Sequence, residues 1–206
     1  MNIVFDFGAV VFSWKPELLV RTAFPAQAAT PAAARSLAAD LFHHDDWQNF
    51  DRGTIAQDAV VARAAQRLGL PHAAVQALVA DIPNHLAPIA DTLALLGRLR
   101  ERRERQQDLR LYYLSNMPEP YARVLEQRHD FLQWFDGGMF SADVKMIKPQ
   151  PDIFALLQSR YALDPAHTVF IDDLPANVDA ARTHGWHAIH FESASQLEPQ
   201  LAAHID

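Results

Sequence analysis

The sequence contains no cysteine, which excludes disulfide bonds, thiol nucleophiles and thiolate metal sites. Positive charge is scarce as well, because 18 lysines and arginines stand against 25 acidic residues and give a formal net charge of −7. This balance offers no general attraction to nucleic acid or to an anionic membrane. Long apolar runs are also missing near the N-terminus, where Asp6 interrupts the first hydrophobic stretch. We therefore expect a cytoplasmic protein without a signal peptide or transmembrane segment, and without nucleic-acid or membrane partners.

The 206 residues are 50% hydrophobic and 21% charged, a composition that fits one or two globular domains with a sizeable core. Five short runs have the character of β-strands. Three of them are nearly all apolar, as strands covered on both faces should be. The five runs cover residues 2–5, 109–114, 138–141, 168–171 and 187–191.

Amphipathic helical patterns separate the later strands, and they cover residues 93–105, 121–128, 153–161 and 177–184. The last of these patterns ends at Gly185, a residue type that commonly stops helices. Strands that alternate with helices predict an α/β fold with a Rossmann-like, doubly wound parallel sheet.

The segment between the first two strands departs from this alternation. A crossover between parallel strands needs only about a dozen residues, yet residues 14–87 read as one helix after another. Thr30 before Pro31 predicts a helix N-cap, and Thr54 has capping-box spacing to Gln57. We expect an inserted helical cap over residues 14–87, and a core domain made of residues 1–13 and 88–206.

Carboxylates follow two of the apolar strands. Asp6 closes the first run, and the pair Asp172 and Asp173 closes the run that begins at residue 168. A carboxylate beside a buried strand is costly unless it is paired, bound to metal or placed at a strand end in a cleft. Because open α/β sheets bind ligands at the carboxyl edge, these acids predict one site there, suited to a hard cation such as Mg²⁺.

Two further elements fall near strand ends and complete a set of four motifs. Together the motifs supply a nucleophile, a hydroxyl with nearby backbone donors, a cation and a metal-binding pair. Such a set suits phosphoryl transfer, in which positioning and charge neutralisation supply most of the catalysis. In chain order the motifs are Asp6-Phe7-Gly8, Ser115-Asn116, Lys148-Pro149 and Asp172-Asp173.

With these four motifs in this order, the chain resembles the haloacid dehalogenase-like (HAD) hydrolase superfamily over essentially its full length. Residues 5–11 and 51–55 further resemble the subgroup that contains bacterial α-D-glucose-1-phosphate phosphatase. The resemblance implies a Mg²⁺-dependent phosphomonoesterase that acts on a small phosphorylated metabolite, with a sugar 1-phosphate as one candidate.

The resemblance also implies a nucleophile and a metal site. Asp6 would attack phosphorus and form an aspartyl-phosphate. Mg²⁺ would be held by Asp6, the main-chain carbonyl of Gly8 and Asp173, with Asp172 beside it. We expect one of the two downstream aspartates to bind the metal directly and the other to support it.

Three more residues would bind the phosphate. By the same resemblance, Ser115 and Asn116 would hold the phosphoryl oxygens, and Lys148 would neutralise charge on the phosphate and on Asp6. The sequence Ser115-Asn116 also suits a helix N-cap, so both functions are open for it.

One position departs from the pattern of most phosphatases in this superfamily, which have a second aspartate two residues after the nucleophile. Here Gly8 stands in its place. The missing acid would protonate the leaving group, a contribution typically worth about 10²–10⁴-fold. Three consequences are open. The substrate has a good leaving group, the cap supplies a substitute acid, for which residues 43–46 are the candidates, or the protein is a weak phosphatase or none.

Two rival functions remain open on the sequence alone. A haloacid dehalogenase uses the same aspartate to attack carbon without metal, but the acidic pair at residues 172–173 argues against it. A binding protein on an inactive scaffold is the other rival, and the retained nucleophile and lysine argue against that. Substrate and oligomeric state cannot be predicted from these residues.

Overall fold

The computed structural model describes residues 1–205 and contains one five-stranded sheet in which every pairing is parallel. The spatial order is β3-β2-β1-β4-β5, so the first strand lies in the centre. The strands are β1 (Asn2–Phe5), β2 (Arg110–Ser115), β3 (Gly137–Phe140), β4 (Thr168–Asp172) and β5 (His187–His190).

The helices pack around this sheet. They are α1 (Pro16–Ala23), α2 (Pro31–Phe42), α3 (Asp45–Asp51), α4 (Gln57–Leu68), α5 (His72–His85), α6 (Ala90–Gln106), α7 (Glu119–Arg128), α8 (Ser141–Val144), α9 (Pro151–Tyr161), α10 (Pro175–Thr183) and α11 (Ala194–Ile205). Short 3₁₀ turns at Asp130–Trp134 and Pro165–His167 lead into β3 and β4. No helix among residues 1–205 combines the length and apolarity needed to cross a bilayer.

The predicted fold class is therefore confirmed. Each predicted strand boundary lies within one residue of the observed one. For β1, β2 and β4 the physical reason is that strands covered on both faces are short continuous apolar runs. The N-cap at Thr30 is also confirmed, since its hydroxyl accepts a hydrogen bond from the main chain of Ala33 at 3.1 Å. The capping box at Thr54 is wrong: its hydroxyl bonds instead to the carbonyl of Asn49, and α4 starts from Ala56.

Helices α1 to α5 lie between β1 and α6, and the two connections to them run side by side. The main-chain N–H of Ser13 donates to the carbonyl of Ala87 at 2.8 Å, and that of Ile89 donates to Val11, also at 2.8 Å. The helical segment thus leaves and re-enters the sheet at one place, a few residues after Asp6.

The helical segment is tied to the sheet region at several further points. The Tyr121 hydroxyl on α7 donates to the Val79 carbonyl of α5 at 2.7 Å. The Lys145 ammonium, just after α8, donates to the Gly53 carbonyl at 2.8 Å. The first bond joins α5 to α7, and the second holds the loop after α3 near the end of β3.

Aromatic rings pack directly against the main chain of two glycines in β3. An added Cβ at Gly138 would lie 2.2 Å from the ring of Tyr113 on the neighbouring strand. An added Cβ at Gly137 would lie 2.4 Å from the Tyr161 ring. The absence of side chains at Gly137 and Gly138 therefore leaves room for two tyrosine rings to pack against β3, at the edge of the sheet.

We predict that Gly138→Ala destabilises the protein by about 1–3 kcal/mol, because the methyl group must displace a packed ring. Gly97→Ala is the matched control. Gly97 lies within α6, and an added Cβ there would be in ordinary contact with the Trp134 ring at 3.9 Å, so we expect a gain of about 0.5–1 kcal/mol. Urea denaturation measures both changes, and equal stability of the two variants would contradict this account of β3.

Candidate active site

Three carboxylates meet at the carboxyl edge of the sheet. Asp6 directly follows β1, Asp172 ends the adjacent β4, and Asp173 follows it. One oxygen from each of these carboxylates lies within 4.8 Å of the others. Oxygen donors at this spacing fit the preference of Mg²⁺ for carboxylates, so the residues present are compatible with such a cation.

Lys148 lies in the loop between α8 and α9, and its side chain is buried between two of these acids. The ammonium Nζ is 2.8 Å from Asp6 Oδ1 and 2.7 Å from Asp172 Oδ2. It also donates to the Leu114 carbonyl at 2.8 Å. All three ammonium protons therefore have acceptors.

The carboxylate of Asp172 is already saturated by neighbouring donors. Besides Lys148, it accepts hydrogen bonds from the Leu174 N–H at 2.9 Å and from the Asn177 side chain at 2.9 and 3.0 Å. Asp172 is completely buried, whereas Asp173 is partly exposed and faces the cavity described below. Of the two predicted metal residues, Asp173 is thus the one whose carboxylate a ligand can reach.

Burial and charge set the protonation of this cluster. Burial raises the pKa of Asp6. The charge of Lys148 lowers that pKa, whereas the negative charges of Asp172 and Asp173 raise it further. The pKa of Asp173 rises to about 6, first through burial and then through the charge of Asp172. Burial alone would lower the pKa of Lys148, but Asp172 and Asp6 outweigh it and hold that pKa above its ordinary value. The lysine is cationic at neutral pH.

The structure brings Ser115 and Asn116 to the same edge, at the end of β2. Both line the cavity with Asp6 and Lys148. The Asn116 side chain forms two hydrogen bonds with the main chain of Lys148, at 2.8 and 2.9 Å. Asn116 therefore holds the lysine loop in place, and its predicted contact with phosphate stays a prediction, as does that of Ser115.

The chain turns sharply after Asp6. The Phe7 carbonyl accepts hydrogen bonds from the main chain of Val11 at 2.9 Å and Phe12 at 2.7 Å, and Ala9 adopts a positive φ of 57°. Gly8 sits in this turn and lines the cavity, and an added Cβ there would meet no atom within 4 Å. The position that lacks an acid therefore borders open space.

A cavity of about 340 Å³ extends from these residues beneath the helical segment. Charged and polar groups line the end at the sheet. The other walls are largely aromatic and aliphatic. These walls are formed by Trp14, Phe42, Trp47, Ile82, Leu86, Met117, Tyr121, Ile147 and Leu174. Lys148 is the single cationic side chain among the lining residues, which all fall within the described part of the chain.

The cluster at residues 43–46 contributes only His43 to the cavity lining. The His44 ring accepts a hydrogen bond from the Asp46 N–H at 3.1 Å and so caps α3. Asp46 forms an ion pair with Arg63 at 3.0 Å. Most of this cluster therefore stabilises helix ends.

Asp51, the last residue of α3, lines the cavity and was missed as a site residue by the sequence reasoning. Burial raises its pKa to about 8, the charge of Asp6 adds to that rise, and Lys148 opposes it. Its only sequence signal is its place in the run Asp51-Arg52-Gly53, which supported the subgroup resemblance.

A family model described as haloacid dehalogenase-like hydrolase matches residues 2–185. Because this match spans most of the sequence, the chain belongs to the haloacid dehalogenase-like hydrolases. Membership fixes the enzyme class as a hydrolase, while the substrate varies among relatives.

Two curated relatives are phosphatases. The sesquiterpene phosphatase astK of Aspergillus oryzae is 27% identical over 187 residues, which covers 91% of this chain and 87% of the relative. A phosphoglycolate phosphatase of Salmonella typhi is 29% identical over 108 residues, which covers 52% of this chain and 40% of the relative.

Solved structures share the fold at lower identity. A HAD family enzyme of Bacteroides thetaiotaomicron, in complex with magnesium and inorganic phosphate, superposes with a TM-score of 0.71 at 20% identity, covering 95% of this chain and 98% of that one. The L-2-haloacid dehalogenase of Xanthobacter autotrophicus gives 0.67 at 18% identity, covering 98% and 82%. Since both kinds of enzyme share the fold, the site must decide between them.

The raised pKa values predict that the metal-free protein loses stability as the pH increases. A carboxyl whose folded-state pKa lies above its ordinary value stabilises the fold at low pH, and this contribution is lost as the pH rises through the folded pKa. For Asp51 the window runs from 3.8 to about 8.

We expect Asp51→Asn to reduce the loss of unfolding free energy between pH 5 and 8, by at most about 1.4 kcal/mol per pH unit. Urea denaturation in chelator at several pH values measures this slope. Asp58→Asn is the control, because Asp58 is an exposed carboxyl in the first turn of the next helix. The same slope in all three proteins would contradict the assignment.

Proposed function

We propose that this protein is a Mg²⁺-dependent phosphomonoesterase that forms an aspartyl-phosphate on Asp6. The observation that carries the proposal is the buried ammonium of Lys148 between Asp6 and Asp172, with Asp173 beside them. The phosphatase relatives support the same reaction class.

Asp6 is suited to nucleophilic attack because the Lys148 ammonium positions one of its oxygens and partly neutralises its negative charge. The lysine in turn is fixed by Asp172 and the Leu114 carbonyl, so the geometry is set before substrate arrives. Ser115 and Asn116 line the same cavity, and we propose that they contact the phosphoryl oxygens. Preorganised donors of this kind are the main source of catalysis in phosphoryl transfer.

Charge balance supports the metal. Three carboxylates face one lysine, so an anionic phosphate would be repelled from a site with this balance alone. We propose that Asp6, Asp173 and the Gly8 carbonyl hold Mg²⁺, with Asp172 orienting Lys148 from behind. When bound, the cation supplies charge neutralisation for the phosphoryl group. The same balance disfavours the dehalogenase, whose 2-haloacid substrate is itself an anion.

We also propose that the helices of residues 14–87 act as the cap expected from the sequence. The paired connections near Ser13 and Ala87 support a single hinge region, and the cavity lies between this segment and the sheet. Side chains of the cap would then determine which substrate alcohols fit the cavity.

The metal proposal predicts that activity on an aryl phosphate disappears in chelator and returns with Mg²⁺. Asp173→Asn should raise the Mg²⁺ concentration for half-maximal rate, whereas Asp172→Asn should mainly lower stability, by about 3–5 kcal/mol, because it leaves Lys148 without a full partner. Asp6→Asn should be inactive and folded. Full activity in chelator, together with halide release from a 2-haloacid, would favour the dehalogenase instead.

For the substrate, the apolar walls support an ester whose alcohol is hydrophobic. A sugar would need several hydrogen-bonding partners, and the helical segment offers three to the cavity, namely His43, Gln48 and Asp51. The sesquiterpene phosphatase of Aspergillus oryzae, whose match covers 91% of this chain, supports the same substrate class. A sugar 1-phosphate remains the second candidate, supported by Gly8 and the run at residues 51–55.

We predict a higher kcat/KM for a prenyl monophosphate than for glucose 1-phosphate, and the lowest value for phosphoglycolate, whose carboxylate finds no second cation. Trp14→Ala should reduce kcat/KM for the prenyl ester by about tenfold or more, the effect of losing roughly 1.4 kcal/mol of apolar contact. The same variant should leave turnover of the small substrate acetyl phosphate unchanged. A preference for glucose 1-phosphate that Trp14→Ala does not alter would contradict this substrate class.

A further inference from the structure

Phosphoryl transfer to Asp6 leaves an alkoxide that must receive a proton when the substrate is an ordinary alkyl ester. The chain has no acid two residues after Asp6, and the space beside Gly8 contains no atom within 4 Å of the Cβ position. A proton donor that acts on this substrate must therefore reach the cavity from another element.

Asp51 reaches the cavity from the helical segment. It ends α3 and lines the same cavity as Asp6, Gly8 and Lys148. Asp6 and Lys148 are the two charged groups that act on its carboxyl, so it lies within electrostatic range of the reacting atoms.

The main chain at Asp51 is held firmly. The Ser141 hydroxyl donates a hydrogen bond to the Asp51 carbonyl, and the Ser141 Oγ accepts one from the Met117 N–H at 2.8 Å. Two residues further on, the Gly53 carbonyl accepts a hydrogen bond from Lys145 at 2.8 Å. These bonds tie the end of α3 to the loop that follows Ser115, so a shift of one moves the other.

The Asp51 carboxyl itself forms no hydrogen bond or ion pair within residues 1–205. Nearby, the Tyr121 hydroxyl is committed to the Val79 carbonyl, and its pKa is raised well above the ordinary value, so it is neutral and not available as a donor. A carboxyl with a fixed main chain and free oxygens, inside a cavity, is suited to act on a ligand. Burial keeps it protonated near neutral pH, with a pKa of about 8.

We propose that Asp51 is the general acid of this enzyme and replaces the acid missing at Gly8. This inference rests on the proposed phosphatase function. As the Asp6 oxygen bonds to phosphorus and the ester P–O bond breaks, the Asp51 proton passes to the leaving oxygen and gives a neutral alcohol. The Asp51 carboxylate then takes a proton from water, whose oxygen attacks phosphorus and releases phosphate and the Asp6 carboxylate.

The test is a leaving-group series with Asp51→Asn, measured as kcat/KM at saturating Mg²⁺. Release of the leaving group from an aryl phosphate or acetyl phosphate needs no proton donor, so Asp51→Asn should lose much less kcat/KM on these substrates than on alkyl phosphates. On alkyl phosphates the variant should lose about 10²–10⁴-fold. The plot of log kcat/KM against leaving-group pKa should therefore be steeper for Asp51→Asn than for wild type, a change that loss of packing does not produce.

Three further variants complete the test. The open space at Gly8 allows Gly8→Asp, and this change should restore at least tenfold of the alkyl phosphate activity that Asp51→Asn loses. His43→Asn removes the other titratable side chain that residues 14–87 contribute to the cavity lining. This variant should leave the slope of log kcat/KM against leaving-group pKa unchanged. Asp58→Asn controls for loss of a carboxyl on the helical segment.

An equal loss on aryl and alkyl esters, or no loss on either, would overturn the role of Asp51 while leaving the phosphatase intact. A steeper slope in His43→Asn would assign the proton to His43 instead. Failure of the proposed function looks different: wild-type protein would then hydrolyse no ester, or Asp6→Asn would remain active.

Discussion

The buried ion pair of Lys148 with Asp6 and Asp172 is the interaction on which the candidate site depends. It connects the ends of β1 and β4 to the loop before α9, through contacts of 2.7 and 2.8 Å. Burying these charges is costly and is tolerated because every ammonium proton has an acceptor and Asp172 has three further contacts to donors. The network still leaves Asp6 and Asp173 with excess negative charge at the cavity, which a cation and a phosphate together would balance.

Much of this arrangement could be predicted from the sequence, for a simple physical reason. Strands buried on both faces are continuous apolar runs, and a carboxylate directly after such a run marks the carboxyl edge of the sheet. That rule placed Asp6, Asp172 and Asp173 together, and the structure confirms their proximity. Lys148 and Ser115 followed from their order along the chain and also lie at that edge.

The remainder depends on tertiary contacts that no local pattern encodes. Asn116 holds the Lys148 main chain across 32 residues of sequence, and Asp51 enters the cavity because Ser141 anchors its carbonyl from 90 residues away. The composition of residues 43–46 suggested a source for the missing acid. In the structure, however, His44 caps α3 and Asp46 forms an ion pair with Arg63. The separation of Asp172 from Asp173 by burial likewise required the position of α10, whose Asn177 covers one and not the other.

The central claim is that a phosphoryl group resides on Asp6 during turnover. The most direct measurement mixes the protein with Mg²⁺ and an aryl phosphate, quenches in acid and treats the sample with borohydride, which reduces an acyl phosphate to an alcohol. Peptide mass spectrometry then locates the reduced aspartate. The account predicts homoserine at position 6 in the presence of substrate, and none in Asp6→Asn. Product formation without any modification of Asp6, or modification of a different carboxylate, would contradict it.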